Sequence, residues 1–136
     1  MNNLNITERR NGNVIVLDLQ GDIRLGAGNI ELHNILRALV EKGEKRILLN
    51  LANVTYIDSS GLGELVAGYT TLQKNGGELK ILRLTERVHE LMVITKLLTV
   101  FDVFDDEQEA IESFSRAAQV SEPELITGEL DKAVIG

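Results

Sequence analysis

The segment Asp58-Ser59-Ser60-Gly61 places a carboxylate and two hydroxyls directly before a helical pattern. Such side chains are common N-caps, because their oxygens accept hydrogen bonds from the first free backbone N–H groups of a helix. One cap needs only one side chain, and neither serine is followed three residues later by the Glu or Gln of a capping box. We therefore expect at least one hydroxyl to be free at the surface, available to a partner or to modification.

Enzyme chemistry is not indicated. A nucleophile elbow would read Gly-x-Ser-x-Gly, whereas Ile57 stands two residues before Ser59. Neither His33 nor His89 has a neighbour at metal-ligand spacing, and the chain has no Cys. Gly26-Ala27-Gly28 lacks the rest of a dinucleotide fingerprint and a P-loop lysine, so it is interpreted as a flexible loop. We expect a protein that is not an enzyme, with no cofactor and no metal.

Composition restricts the possible partners. The 136-residue chain suits one domain, and its formal net charge is -7. That charge argues against binding to nucleic acid or to anionic lipid, both of which need a clustered basic face. The N-terminus shows no signal-peptide pattern, and no apolar run approaches the ~20 residues that span a bilayer. A cytoplasmic protein is expected, and the acidic charge is compatible with a basic protein partner.

Hydrophobic spacing predicts an α/β fold. Two strands joined by a turn form an N-terminal hairpin, and helices then alternate with short apolar strands, which favours a mostly parallel sheet with right-handed crossovers. Asn29, Thr85 and either Asp105 or Asp106 are predicted helix caps. The predicted strands are 4–10, 14–19, 47–51, 79–84 and 100–104.

The chain divides into a domain and a tail. Residues 1–118 hold all of the predicted strands and helices, whereas residues 119–136 are acidic and contain the only proline, Pro123. We expect this tail to be flexible or to form a loosely docked helix, since Ile126, Leu130 and Val134 recur at helical spacing.

The stretch Val54-Thr55-Tyr56-Ile57-Asp58-Ser59-Ser60-Gly61-Leu62-Gly63 resembles the signature of the STAS domain, specifically that of the bacterial anti-anti-sigma factors (anti-sigma factor antagonists). The resemblance covers roughly Leu4 to Ala118 and includes Gly21-Asp22-Ile23 and Gly76-Gly77-Glu78-Leu79. It implies a mixed sheet of about five strands, with an N-terminal hairpin and helices packed mainly on one face.

The same resemblance implies a function by partner switching. The unphosphorylated protein would bind an anti-sigma factor that is also a serine kinase, and sigma factor would be released. The serine after the signature aspartate, here Ser59, would be the phosphorylation site. A metal-dependent serine/threonine phosphatase would reset it, so ATP and metal belong to the partners. The protein itself would be a monomer or weak dimer.

The predicted partner-binding residues lie in two loops and the following helix. Family members often have an acidic residue at the position that Arg24 occupies in this chain. The side chain of Arg24 could pair with phosphoserine or be solvated. Two other functions stay open: a STAS adaptor in a non-sigma signalling or transport complex, and a small-molecule or nucleotide-binding module. The predicted contact set is Asp22, Arg24, Asp58, Ser60, Gly61, Leu62 and Gly63.

Overall fold

The structure, a computed structural model, describes residues 4–121 and contains one mixed sheet. Its five strands lie side by side in chain order. The first pair is antiparallel and every later pair is parallel, which confirms the predicted hairpin and α/β class. The strands are β1 (Leu4–Asn11), β2 (Val14–Ile23), β3 (Arg46–Ile57), β4 (Glu78–Leu82) and β5 (Val103–Phe104).

Four helices cover the sheet unequally. Each of the first three connects neighbouring parallel strands, and right-handed crossovers that advance in one direction put their helices on one face. The fourth follows the last strand and packs on the opposite face. The expectation of helices mainly on one face is therefore confirmed. The helices are α1 (Ala27–Glu41), α2 (Ser59–Lys74), α3 (Glu86–Ile94) and α4 (Glu107–Ser121).

Two cores explain why the central strands are nearly all apolar. Beneath α1, α2 and α3, alternate residues of the strands, such as Leu17 and Leu49, join a large buried cluster. The intervening residues, such as Val16 and Leu48, form a smaller cluster with Phe114 of α4. Because both faces are covered, the strands lose the apolar–polar alternation of a half-exposed sheet.

The predicted start of α1 is wrong. Asn29 was expected to cap this helix, but the helix begins at Ala27 and its N-cap is Gly26, which makes no side-chain hydrogen bond. Gly26 has a φ of 123°, a left-handed conformation that costs glycine little. The turn made by this glycine, rather than a capping side chain, sets the start of the helix.

The last strand is shorter than predicted. Only Val103–Phe104 pairs with β4, whereas residues 97–99 form a 3₁₀ turn. Phe101 is not part of the sheet and is buried in the larger core. Its ring packs edge-to-face against that of Tyr69, with 5.3 Å between the ring centroids. An aromatic side chain that fills the core under a turn has the same apolar signature as one in a strand, which explains the error.

The other predicted caps are confirmed. Thr85 Oγ1 accepts from the Val88 N–H at the start of α3, and Asp106 Oδ2 accepts from the Glu109 N–H at the start of α4. Helix α4 continues to Ser121, past the predicted domain end at residue 118. The rest of the predicted tail lies outside the described residues. Among the residues described, no helix is both long and apolar enough to cross a bilayer.

Candidate functional site

Asp58 joins two loops at the carboxyl end of β3. It is the N-cap of α2: Oδ1 accepts from the Gly61 N–H at 2.9 Å, and Oδ2 accepts from the Leu25 N–H at 3.0 Å. Partial burial acts to raise the pKa of Asp58. The N–H groups of Leu25, Gly61 and Ser60 and the charge of Arg24 outweigh that effect, and the pKa lies below its usual range. The ionised carboxylate therefore links the β2–α1 loop to the start of α2 through these two hydrogen bonds.

The two serines occupy the first turn of α2. Ser59 is exposed and Ser60 is half-buried. Since Asp58 supplies the cap, neither hydroxyl is used for capping. Neither makes a side-chain hydrogen bond with any other residue that the structure describes. The sequence argument for a surplus hydroxyl is thus confirmed at both positions, and Ser59 is the more accessible.

Gly61 and Leu62, which were predicted to contact a partner, are both buried. Leu62 is only 6% exposed and packs in the larger core. A Cβ atom on Gly61 would lie 2.4 Å from the Ile23 carbonyl oxygen, so this position has glycine because the end of β2 crosses it closely. Gly63, by contrast, is exposed with open space around it. Of Gly61, Leu62 and Gly63, only Gly63 is exposed to solvent.

The end of β2 and the β2–α1 loop lie beside this turn. Asp22 is half-buried and accepts from Thr55 Oγ1 at 3.0 Å and from the Arg24 guanidinium at 2.9 Å. The guanidinium carbon of Arg24 lies 4.3 Å from the centroid of the Tyr56 ring, within cation–π range. Arg24 is therefore held by a carboxylate and an aromatic ring rather than simply solvated.

A groove of about 550 Å³ opens between the start of α2 and α3. Ser59 and Tyr56 line it from the β3–α2 side, and Arg87 and Ile94 line it from α3. The guanidinium carbon of Arg87 lies 5.3 Å from the same Tyr56 ring centroid. Two arginines thus meet one tyrosine at the edge of the groove that contains Ser59.

Arg87 and the groove were missed by sequence reasoning. The signal that could have found them is topological: the carboxyl ends of parallel strands lie at one edge of a sheet, so the helices that follow β3 and β4 begin side by side. Thr85 strengthens this arrangement, because its hydroxyl donates to the Val54 carbonyl of β3 while capping α3.

Large apolar side chains are exposed in the β2–α1 loop and at the groove that contains Ser59. Leu25, whose N–H is bound by Asp58, is 77% exposed, and Ile94 at the groove is 76% exposed. Among the side chains described, those of residues 4–114, no three from His, Asp or Glu come together as metal ligands.

Comparisons with known proteins agree with this arrangement. The family model described as the STAS domain matches residues 5–110. The anti-sigma-B factor antagonist of Bacillus subtilis (strain 168) is 34% identical over 101 residues, which are 74% of this chain and 91% of that protein. An anti-sigma factor antagonist from Mycobacterium paratuberculosis has a similar structure, with a TM-score of 0.71 at 18% identity, covering 82% of this chain and 94% of that one. The phosphorylated form of the Bacillus cell fate determinant SpoIIAA has a TM-score of 0.64 at 17% identity, covering 80% and 98%.

Proposed function

This chain belongs to the STAS domain family, and from that premise we propose that it is an anti-sigma factor antagonist that is switched off by phosphorylation of Ser59. In its unmodified form it binds an anti-sigma factor serine kinase in the cytoplasm, and sigma factor is released. The observation that supports this proposal best is the exposed Ser59 hydroxyl, which is left without a capping role because Asp58 caps α2.

The surface around Ser59 suits a protein partner. Leu25, whose N–H binds Asp58, and Ile94, which lines the groove with Ser59, are exposed and offer apolar contacts, while Gly63 leaves open space at the start of α2. The partner covers Ser59 while it docks against Asp22 and Arg24 of the neighbouring loop. The chain's net charge of -7 favours a partner with a basic contact surface.

Phosphorylation switches this surface without unfolding it. Phosphate adds a charge of about -1.5 to -2, which the free N–H groups at the start of a helix tolerate. A partner packed on Ser59 meets that charge beside the ionised Asp58. A loss of about 3 kcal/mol in binding free energy would weaken the complex more than a hundredfold.

The kinase supplies the chemistry of this switch. Ser59 Oγ forms a bond to the γ-phosphorus of ATP, the bond from that phosphorus to ADP breaks, and a base on the kinase takes the hydroxyl proton. Asp58 is not that base, because both of its oxygens accept backbone hydrogen bonds and its pKa is lowered. A metal-dependent phosphatase returns the serine by hydrolysis with water.

The test is phosphorylation by the anti-sigma factor kinase of the same organism, with labelled ATP. We expect the wild type and Ser60→Ala to incorporate about one phosphate per chain and Ser59→Ala to incorporate none. Ser60→Ala is the matched control, since it removes the adjacent hydroxyl of the same turn. Equal labelling of Ser59→Ala and the wild type would refute the site. Failure of unmodified protein to bind the kinase would refute the function.

A further inference from the structure

Arg87 is a cation without a carboxylate partner at the edge of the groove that contains Ser59. Among the side chains that the structure describes, those of residues 4–114, it forms no ion pair, whereas Arg24 is paired with Asp22 at 2.9 Å. Its guanidinium lies against the ring of Tyr56, which limits its freedom to move. Arginine recognises phosphate well because its planar fork donates two parallel hydrogen bonds.

The same groove places the arginine and the serine together on the fold. Ser59 lies at the start of α2, after β3, and Arg87 lies at the start of α3, after β4. Thr85 fixes the start of α3 against β3 through its bond to the Val54 carbonyl. Arg87 therefore does not depend on a mobile loop for its position.

On the basis of the proposed function, we propose that Arg87 is the intramolecular receiver of the phosphate on Ser59. After phosphorylation its guanidinium donates hydrogen bonds to the phosphoryl oxygens, and Arg24 adds positive charge from the neighbouring loop. Arg87 then covers part of the groove between α2 and α3. Phosphorylation thus removes a docking surface as well as adding charge.

Several charged groups surround this site, and some attract the phosphate while others repel it. Arg87 and Arg24 attract the phosphate, whereas Asp58, next to Ser59 in the chain, repels it. Asp22 already holds Arg24 and reduces its contribution. Glu90 of α3 also lines the groove and adds a negative charge there. Arg87 is thus the free guanidinium of the set, which makes it the residue to test.

The experiment measures the second pKa of phosphoserine 59 by ³¹P NMR. Phosphoserine is placed at position 59 of the full chain during translation, so no kinase is needed. A nearby cation favours the dianion and lowers this pKa from its ordinary value of about 6. We expect Arg87→Gln to raise it by about half to one unit, and Arg87→Lys to retain part of the wild-type effect.

The matched control is Arg10→Gln, which removes the same charge at the far end of the sheet. Arg10 forms an ion pair with Glu44. Its cross-strand partner on β2 is Ile15, which aligns with Ile47 of β3, and Ile47 lies ten residues before Ile57 at the site. That is about 33 Å, several Debye lengths away. A shift in Arg87→Gln no larger than that in Arg10→Gln overturns the proposal. Because no kinase takes part, this result is independent of whether the labelling of Ser59 succeeds.

Discussion

Asp58 holds the site together through two backbone hydrogen bonds at once. One bond caps α2 and the other fixes Leu25 of the neighbouring loop. Because both carboxylate oxygens of Asp58 bind backbone N–H groups, Asp58 positions the loop and the helix and does not act as a base in phosphorylation. The second bond ties the loop that contains the exposed Leu25 to the start of α2.

Two substitutions of Asp58 distinguish the contributions of these two hydrogen bonds to the free energy of unfolding. Asparagine retains one acceptor oxygen and caps helices well, so Asp58→Asn should lose mainly the Leu25 bond, about 1 kcal/mol of unfolding free energy. Asp58→Ala loses both bonds, about 2 kcal/mol. Urea denaturation followed by circular dichroism measures both, since the chain has no Trp. Equal losses in the two variants would contradict the separate role of Leu25.

At the residue scale, local sequence predicted what depends on neighbours in the chain. The surplus hydroxyls followed from Asp58, Ser59 and Ser60 standing in a row, and the resemblance to a family selected Ser59. Arg87 could not be found in this way. Its relation to Ser59 arises from the adjacency of β3 and β4, which brings residues 28 positions apart to one groove.

At the element scale, the start of α2 is set by a close approach to β2. The carbonyl oxygen of Ile23 accepts from the Asp58 N–H at 3.2 Å and also faces Gly61, leaving no room for a side chain there. The sequence showed two glycines in this turn and suggested one purpose for both. The structure assigns them different ones, because Gly61 faces the sheet and Gly63 faces solvent.

Alanine substitution distinguishes the two glycines. Gly61→Ala places Cβ against backbone and should lower the unfolding free energy by about 3 kcal/mol. Gly63→Ala meets nothing within 4 Å and should raise it by about 0.5–1 kcal/mol through helix propensity. The midpoints of urea denaturation test both. A Gly61→Ala variant as stable as Gly63→Ala would contradict the close approach.

Element boundaries were predicted where a local rule decides them. Thr85 caps α3 because its hydroxyl oxygen accepts from the N–H of Val88, three residues along the chain. The start of α1 at Ala27 and the short β5 depended instead on a left-handed glycine and on the burial of Phe101. Neither the φ of Gly26 nor the depth of the core is visible in hydrophobic spacing.

At the scale of the whole molecule, the sheet separates two cores of unequal size. Helix α4 covers the smaller one, where Lys80 is 6% exposed. Its Nζ donates to Ser113 Oγ and lies 4.9 Å from the Phe114 ring centroid. The sequence indicated that the strands are covered on both faces. It did not indicate which helix covers the second face, because an amphipathic stripe does not specify its partner.

An ion-pair network joins the start of α4 to the hairpin. The Arg9 guanidinium donates to both carboxylate oxygens of Glu107 at 2.8 Å and also binds Asp18 at 2.6 Å. Asn11 adds a bond to Glu107 at 2.9 Å. These bonds from Arg9 and Asn11 lower the pKa of Glu107 to about 2. The bond from Arg9 likewise holds the pKa of Asp18 below its usual range.

Glu107→Gln should therefore change stability in a pH-dependent way. The folded-state pKa of Glu107 lies below its ordinary value of 4.5, so the unfolded state binds more protons between these values and the wild type gains stability as pH rises from about 2 to 4.5. The Glu107→Gln variant lacks this gain in stability, because glutamine does not titrate. Because Arg9 is 40% exposed and screened by solvent, we expect a loss of only about 1 kcal/mol at pH 7.

The control is Glu41→Gln, which breaks the pair with Arg37 on the solvent side of α1, where both side chains are more than 60% exposed. We expect this variant to stay within about 0.3 kcal/mol of the wild type, since exposed pairs of this kind contribute little. Urea denaturation at pH 7, 4.5 and 3 compares the three proteins. If Glu107→Gln differs from the wild type as much at pH 3 as at pH 7, the network does not stabilise α4 through its charge. The attachment of the helix would then rest on its packing in the smaller core and on the bond from Lys80 to Ser113.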